Sequence, residues 1–175
     1  MQLLSWLLSS LLVLAGALPA LAADDSVVRW QDIIGIIQPG NLVGSGTGQV
    51  AGGSQPWSTL GGQAVVNLQS GHVEFTVHGL VLAGGNSIGT PDGITMVKGT
   101  LVCDTSGEAS KPPGNSQLVD TDAVPLSAQG DARFAGFVSL DPVCRSEPDI
   151  AFLVRIVVPT VAAGRWIANG AVRTP

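Results

Sequence analysis

From His72 to His78 the chain alternates without a fault: Val73, Phe75 and Val77 fall on one side, and His72, Glu74, Thr76 and His78 on the other. A period of two marks a strand buried on one face only. Ser70-Gly71 stands just upstream, and Gly can take the positive φ that hairpin turns require. Closing the chain there sets Gln69 opposite His72, Leu68 opposite Val73, Asn67 opposite Glu74, Val66 opposite Phe75 and Ala64 opposite Val77. Apolar residues then meet at alternate rungs, and a slip by one would turn every side chain to the wrong face. The stretch from Gln63 to Leu82 is therefore predicted to be an antiparallel hairpin, and the rest of the chain must supply strands that cover it.

Those strands can be read in order. Asp24 to Gln38 fits a helical face through Val27, Trp30, Ile34 and Ile37, but its isoleucines, valines and central Gly35 favour an extended segment. Gly44 to Ser54 is turn-rich and flanks a short strand at Gln49 to Ala51, and Trp57 beyond it is a core or lid aromatic. A loop from Ala83 to Gly93 leads into a strand from Ile94 to Cys103, with an irregularity expected at Gly99. Asp104 to Asn115 is a polar loop. In Leu118 to Leu126, Asp120 and Asp122 share parity with Leu118, Val124 and Leu126, so the run either carries a bulge or is two short strands. Ala132 to Leu140 puts Phe134 and Val138 on one face and Phe137 on the other, and Asp141 to Asp149 is a loop holding Cys144. Ile150 to Val158 is nearly all apolar, as in a central strand covered on both sides. Arg165 to Arg173 turns Trp166, Ala168 and Val172 inward.

Eight or nine short strands separated by Gly, Pro, Asn and Asp predict an all-β fold. The expectation is an antiparallel β-sandwich, immunoglobulin-like or jelly-roll-like, with a β-barrel as the alternative.

Residues 1–22 read as a cleaved export signal: Leu3 to Leu14 is almost wholly apolar, and Ala20-Leu21-Ala22 is a small-x-small cleavage site. Pro19 and the small residues make that run too short to span a bilayer. Residues 23–175 are then expected to form one β domain, exported to the periplasm or beyond and not membrane-spanning. No Cys follows the cleavage site, which excludes anchoring through a lipidated N-terminal cysteine. Cys103 and Cys144, the only cysteines, are most simply a disulfide in such a compartment. A net charge of −5 argues against nucleic acid as a partner.

Gly84 to Pro91 (GGNSIGTP), Val97 to Asp104 (VKGTLVCD) and Trp166 to Val172 (WIANGAV) resemble segments of small exported bacterial proteins of unassigned function. The resemblance covers most of the mature chain. It implies export and no particular chemistry.

Several short motifs invite an activity and lack its context. Gly85-Asn86-Ser87-Ile88-Gly89 is a literal G-x-S-x-G, but Thr90-Pro91-Asp92-Gly93 cannot start the helix of a nucleophile elbow, and no His follows His78. Gly46-x-Gly48-x-x-Ala51 loosely matches a dinucleotide fingerprint without a βαβ unit around it. His72, Glu74 and His78 share a face, yet the two histidines stand about 20 Å apart along a strand, too far for one ion. Asp120-Thr121-Asp122, with Asp92 or Asp131, offers oxygens to Ca²⁺ without an EF-hand spacing. Asp104-Thr105-Ser106-Gly107 departs from the Asp-Thr-Gly of aspartic proteases and has no second copy. With three Trp and no Tyr in the mature chain, a sugar-binding surface is poorly supplied with aromatics.

Arg155 interrupts the apolar run, and an unpaired charge there would be costly. An ion pair with Asp120 or Asp122 is expected.

The function these features favour is a non-catalytic exported module that binds a protein or envelope component or has a structural role there. The alternative is a secreted hydrolase acting through Ser87 or the Asp cluster. Asn86, Ser87, Thr90 and Asp92 are the candidate binding residues, and no metal or cofactor is expected.

Overall fold

The computed structural model describes residues 26–146, 149–157 and 162–174. The predicted signal segment, 1–22, lies outside them. Thirteen strands follow in order: β1 (Val27–Gly35), β2 (Leu42–Val43), β3 (Val50–Ala51), β4 (Trp57–Ser58), β5 (Gly61–Asn67), β6 (His72–His78), β7 (Val81–Leu82), β8 (Met96–Cys103), β9 (Gln117–Asp120), β10 (Val124–Pro125), β11 (Ala132–Phe137), β12 (Ile150–Ile156) and β13 (Trp166–Thr174). One short helix, α1 (Pro142–Ser146), carries Cys144 where a loop was expected.

Nine strands form one antiparallel sheet in the order β10-β8-β12-β13-β1-β5-β6-β11, with β9 also paired to β8. The sheet curls into a half-barrel, so the expected all-β fold of sandwich or barrel type is what the chain adopts. Its concave side holds the core. Ala64, Val66, Val73, Phe75 and Val77 are buried as their alternation requires. Phe75 packs against Phe152 and Phe134 with ring centroids 5.5 and 6.1 Å apart, and Trp30 meets Phe152 at 5.7 Å.

The central hairpin forms, with its register moved by two. Val66 pairs with Val73 and Ala64 with Phe75, so the turn spans Leu68 to Gly71 rather than Ser70-Gly71 alone. The cause is Asn67, whose side chain accepts the N–H groups of Gln69 and Ser70 at 3.0 and 2.9 Å and winds the turn early. A shift of two preserves face parity, which is why the burial pattern is unaffected.

Four further expectations resolve on the same terms. Within the stretch Asp24 to Gln38, Val27–Gly35 is extended as β1. The run from Leu118 to Leu126 is two short strands, β9 and β10, along one edge of β8. They separate at Thr121, which takes the Gly99 N–H on its Oγ1 and donates its own N–H to the Gly99 carbonyl. β8 pairs regularly with β12 through Gly99, and β12 has its own register shift between Val154 and Arg155; on its other edge β8 carries the expected irregularity at Gly99, where the register changes by one between β9 and β10. Gly99 also leaves room for the core, because a Cβ there would meet the Phe75 and Phe152 rings at 3.0–3.1 Å. Val172, expected inward, is exposed with φ near +50°.

Candidate functional site

The loop after β7 holds all four candidate binding residues. Leu82 closes it, donating its N–H to the Thr90 carbonyl and accepting the Gly89 N–H, both at 2.9 Å. Thr90 latches the inside: its hydroxyl donates to the Ser87 carbonyl at 2.8 Å and accepts the Asp92 N–H at 3.2 Å. The turns require left-handed backbone at Gly85, Gly89, Asp92 and Gly93. Asn86, Thr90 and Asp92 are exposed, Ser87 is half-buried, and Ile88 projects with 63% of its surface accessible. No His or carboxylate among the described residues hydrogen-bonds Ser87 Oγ, so the hydrolase reading finds no general base there.

Beside this loop lies a cleft of about 240 Å³, lined by Gly53, Gln55, Trp57, Leu82, Asp92 and Ile94 among others. Asp92 joins it, whereas Asn86, Ser87 and Thr90 stand outside. Trp57 is only 5% exposed. Its Nε1 would lie 3.6 Å from a Cβ at Gly53, on the wall of the cleft. Neither the Trp57 indole N–H nor the Asp92 carboxylate has a hydrogen-bond partner among the described residues. A buried N–H without an acceptor is costly, which makes it a natural donor to whatever fills the cleft. The sequence marked Trp57 as a core or lid aromatic, and only the pairing of β4 with β7 brings it beside Asp92.

At the opposite end of β8 the second polar loop is stitched shut. Asp104 is 1% exposed, with φ near +55°. Burial alone would raise its carboxyl, but donors outweigh that: the Ser110 hydroxyl and N–H at 2.6 and 2.7 Å, the Ala109 N–H and the Ser106 hydroxyl hold it below its ordinary value of 3.8. Asp149 accepts the Thr105 hydroxyl and the Ser106 N–H. Ser116 and Asn115 bind the backbone of Ser45 and Thr47 at 2.8 Å each. Gly46 and Gly48, the would-be dinucleotide glycines, lie in one 3₁₀ turn against Gly114, Asn115 and Ser116. That packing leaves no phosphate cradle. The Cys103–Cys144 disulfide, with Cα atoms 5.1 Å apart, anchors the same end to α1.

The third cluster crosses three strands. Lys98 on β8 stands directly opposite Arg155 on β12, and Thr100 opposite Asp120 on β9. Asp120 accepts from Lys98 Nζ, from Thr100 Oγ1 at 2.6 Å and from Arg155 Nη1 at 3.2 Å. Arg155 Nε also donates to the Gly164 carbonyl at 2.8 Å. Partial burial raises the Asp120 carboxyl, but Lys98, Thr100 and the Arg155 charge bring it below 3.8 overall. Asp122, the other expected partner, is exposed and takes no part, because the chain leaves β8 at Thr121 before reaching it. Lys98 is the member that sequence parity did not single out. Its signal was its position on the strand destined to lie between β9 and β12.

The remaining candidates do not assemble. His72 lies 3.8 Å from Glu74 and His78 lies 3.4 Å from Asp131, at separate places on β6. No group of three or more His, Cys, Asp or Glu side chains placed to hold a metal exists among the described residues. No helix among them is long and apolar enough to cross a membrane. No protein-family model, curated protein or solved structure matches the chain.

Proposed function

We propose that the chain is an exported, non-catalytic recognition module that takes its partner at the Gly84 to Gly93 loop and the cleft beside it. The observation that carries this reading is the coincidence of a pre-ordered, outward-facing loop with two polar groups that have no hydrogen-bond partner among the described residues, the Trp57 indole N–H and the Asp92 carboxylate. Loops held on a rigid sheet are the usual place for recognition, and a loop already closed by its own hydrogen bonds loses little entropy on binding. Asn86 and the exposed Ile88 supply polar and apolar contact beside the cleft. The disulfide supports export, since such bonds persist in oxidising compartments.

The test is capture from envelope extract by the wild-type chain and by an Asn86→Ala, Ser87→Ala, Asp92→Ala triple variant, with identified partners confirmed one at a time by titration. The triple variant should lose the partner and melt about 2–6 °C below wild type, because Ala fits the left-handed backbone at Asp92 less well than Asp does. Capture that survives this change and disappears when the Asp104 to Asn115 loop is altered would overturn the assignment.

A further inference from the structure

The Pro91-Asp92-Gly93 turn is a crest with a hollow on each side. One is the Trp57 cleft of about 240 Å³. The other, of about 230 Å³, lies between this turn and the one that follows β10, with Pro91, Ile94, Leu126 and Ser127 among its walls. Asp92 and Ile94 line both. The crest is bare at Gly93, where a Cβ would meet nothing within 4 Å. Gln55 joins the first cleft to the Gly84 to Gly93 loop, its amide 3.5–3.9 Å from where a Gly85 Cβ would stand.

These features restrict the occupant. Each hollow is smaller than the about 300–1,000 Å³ of a small-molecule site, and two residue-sized hollows that share a wall suit side chains of one extended chain. Residues two apart on such a chain point to the same side, so a segment crossing the crest puts one in each hollow. In the Trp57 cleft the polar groups are ordered by depth: Trp57 is buried, whereas Asp92 stands exposed at the rim. The buried indole N–H calls for a neutral acceptor, which every peptide carbonyl is, and the rim carboxylate calls for a cation. Between them the cleft is apolar, formed by the buried Leu82, Ile94 and Ile156. A lysine or arginine residue answers all three with its carbonyl, its apolar stem and its charged head. The other hollow has no charged side chain besides Asp92 and suits an apolar residue.

We propose that this site takes an extended basic segment of a partner polypeptide, laid across the Pro91-Asp92-Gly93 crest. A lysine or arginine of the segment lies in the Trp57 cleft with its cation on Asp92, a carbonyl of the segment accepts the Trp57 indole N–H, and an apolar residue two positions away fills the other hollow. The inference rests on the recognition reading above and names its ligand class. The net charge of −5 favours such a partner. Because an exposed ion pair adds little affinity, the Asp92 charge acts mainly to select, and a short peptide binds weakly.

The test is titration of the isotope-labelled chain with acetyl-Lys-Ala-Leu-amide and with acetyl-Leu-Ala-Lys-amide, since either chain direction satisfies the site. The indole N–H resonance of Trp57, assigned by its loss in Trp57→Phe, reads the cleft. One of the two peptides should move that resonance and the Asp92 and Gly93 amides in a saturable way. Norleucine in place of the peptide's lysine should bind about threefold or more weakly, and glycine in place of its leucine should also weaken binding. Asp92→Asn, which suits the same left-handed backbone, should make the lysine and norleucine peptides equal. No movement of the Trp57 resonance with either peptide up to about 10 mM, norleucine binding as tightly as lysine to the wild-type chain, or a response to glucose in place of the peptides overturns the inference. Loop-dependent capture from envelope extract that a saturating lysine peptide fails to displace overturns it and leaves the recognition reading standing. Absence of loop-dependent capture together with absence of a peptide response overturns both.

Discussion

Asp120→Asn tests the electrostatic logic of the sheet most directly. β8 places Lys98 beside Arg155 on the neighbouring strand, and like charges directly opposite each other destabilise a sheet. Asp120 reaches both cations from β9. Asparagine keeps the shape and can still accept from Thr100, so what is lost is the charge. A hydrogen bond to a charged group contributes about 1.5–3 kcal/mol when buried, while an exposed pair contributes about 0–1. The Asp120 side chain is 37% exposed and that of Arg155 14%, which places each contact near 1 kcal/mol after solvent screening. Unopposed repulsion between Lys98 and Arg155 adds about 0.5 kcal/mol. The expected loss is therefore about 2–3 kcal/mol at neutral pH.

The pH dependence sharpens the test. The folded-state carboxyl lies below its unfolded value of 3.8, so the unfolded chain binds the proton more readily. Asp120 thus contributes its full stabilisation above about pH 4, and the contribution disappears as pH falls through the folded value. Urea unfolding of the oxidised protein should show the wild-type advantage over Asp120→Asn at pH 7 and a smaller one at the lowest pH, well below 3.8, at which the chain still folds. A difference under about 0.5 kcal/mol at neutral pH, or one of equal size at both, would refute the reasoning.

Two further outcomes follow from the stitched end. Replacing Cys103 and Cys144 by serine should cost about 4 kcal/mol on the chain-entropy model, since the bond closes a separation of 41 residues; titration of the unreduced, denatured protein should find no reactive thiol, and two per chain would sink the assignment. Gly48→Ala would set a Cβ 1.9 Å from the Ser116 carbonyl oxygen, a backbone atom, so the two loops must part. An overpacking cost of about 1–3 kcal/mol should lower Tm by roughly 3–10 °C, and an unchanged melt would mean the loops are not in contact.

What the sequence made legible was set by periodicity. The alternation through Val73, Phe75 and Val77 identified both the strand and its buried face, because burial on one side of a pleat has no other solution. The turn was less legible: two registers differing by two residues satisfy the same pattern, and the choice belongs to the Asn67 side chain rather than to the apolar rows. Gly99 was half legible for a related reason: the irregularity it announced lies on the β9–β10 edge of β8, and its close approach to the core could not be read. A glycine inside a strand signals either a bulge or a close approach, and the Phe75 and Phe152 rings that explain it come from strands distant in sequence. The conflicting parity of Asp120 and Asp122 did announce a break between two strands. It could not say which carboxylate would find Arg155, since that depended on where Thr121 left the edge of β8.

The two ends of β8 divide the molecule by what their loops leave unsatisfied. At the Cys103 end, the carboxylates of Asp104 and Asp149, the Ser116 hydroxyl and the Asn115 amide are all engaged by neighbouring loop backbone or hydroxyls. A partner that uses those four groups would have to break internal bonds to make its own. At the Met96 end, Thr90 and Leu82 fix the loop backbone, yet the Asp92 carboxylate and the Trp57 indole N–H have no hydrogen-bond partner among the described residues. Contacts made there add to the internal network instead of competing with it. That asymmetry, more than the number of polar side chains on either loop, is why recognition is assigned to the Gly84 to Gly93 end.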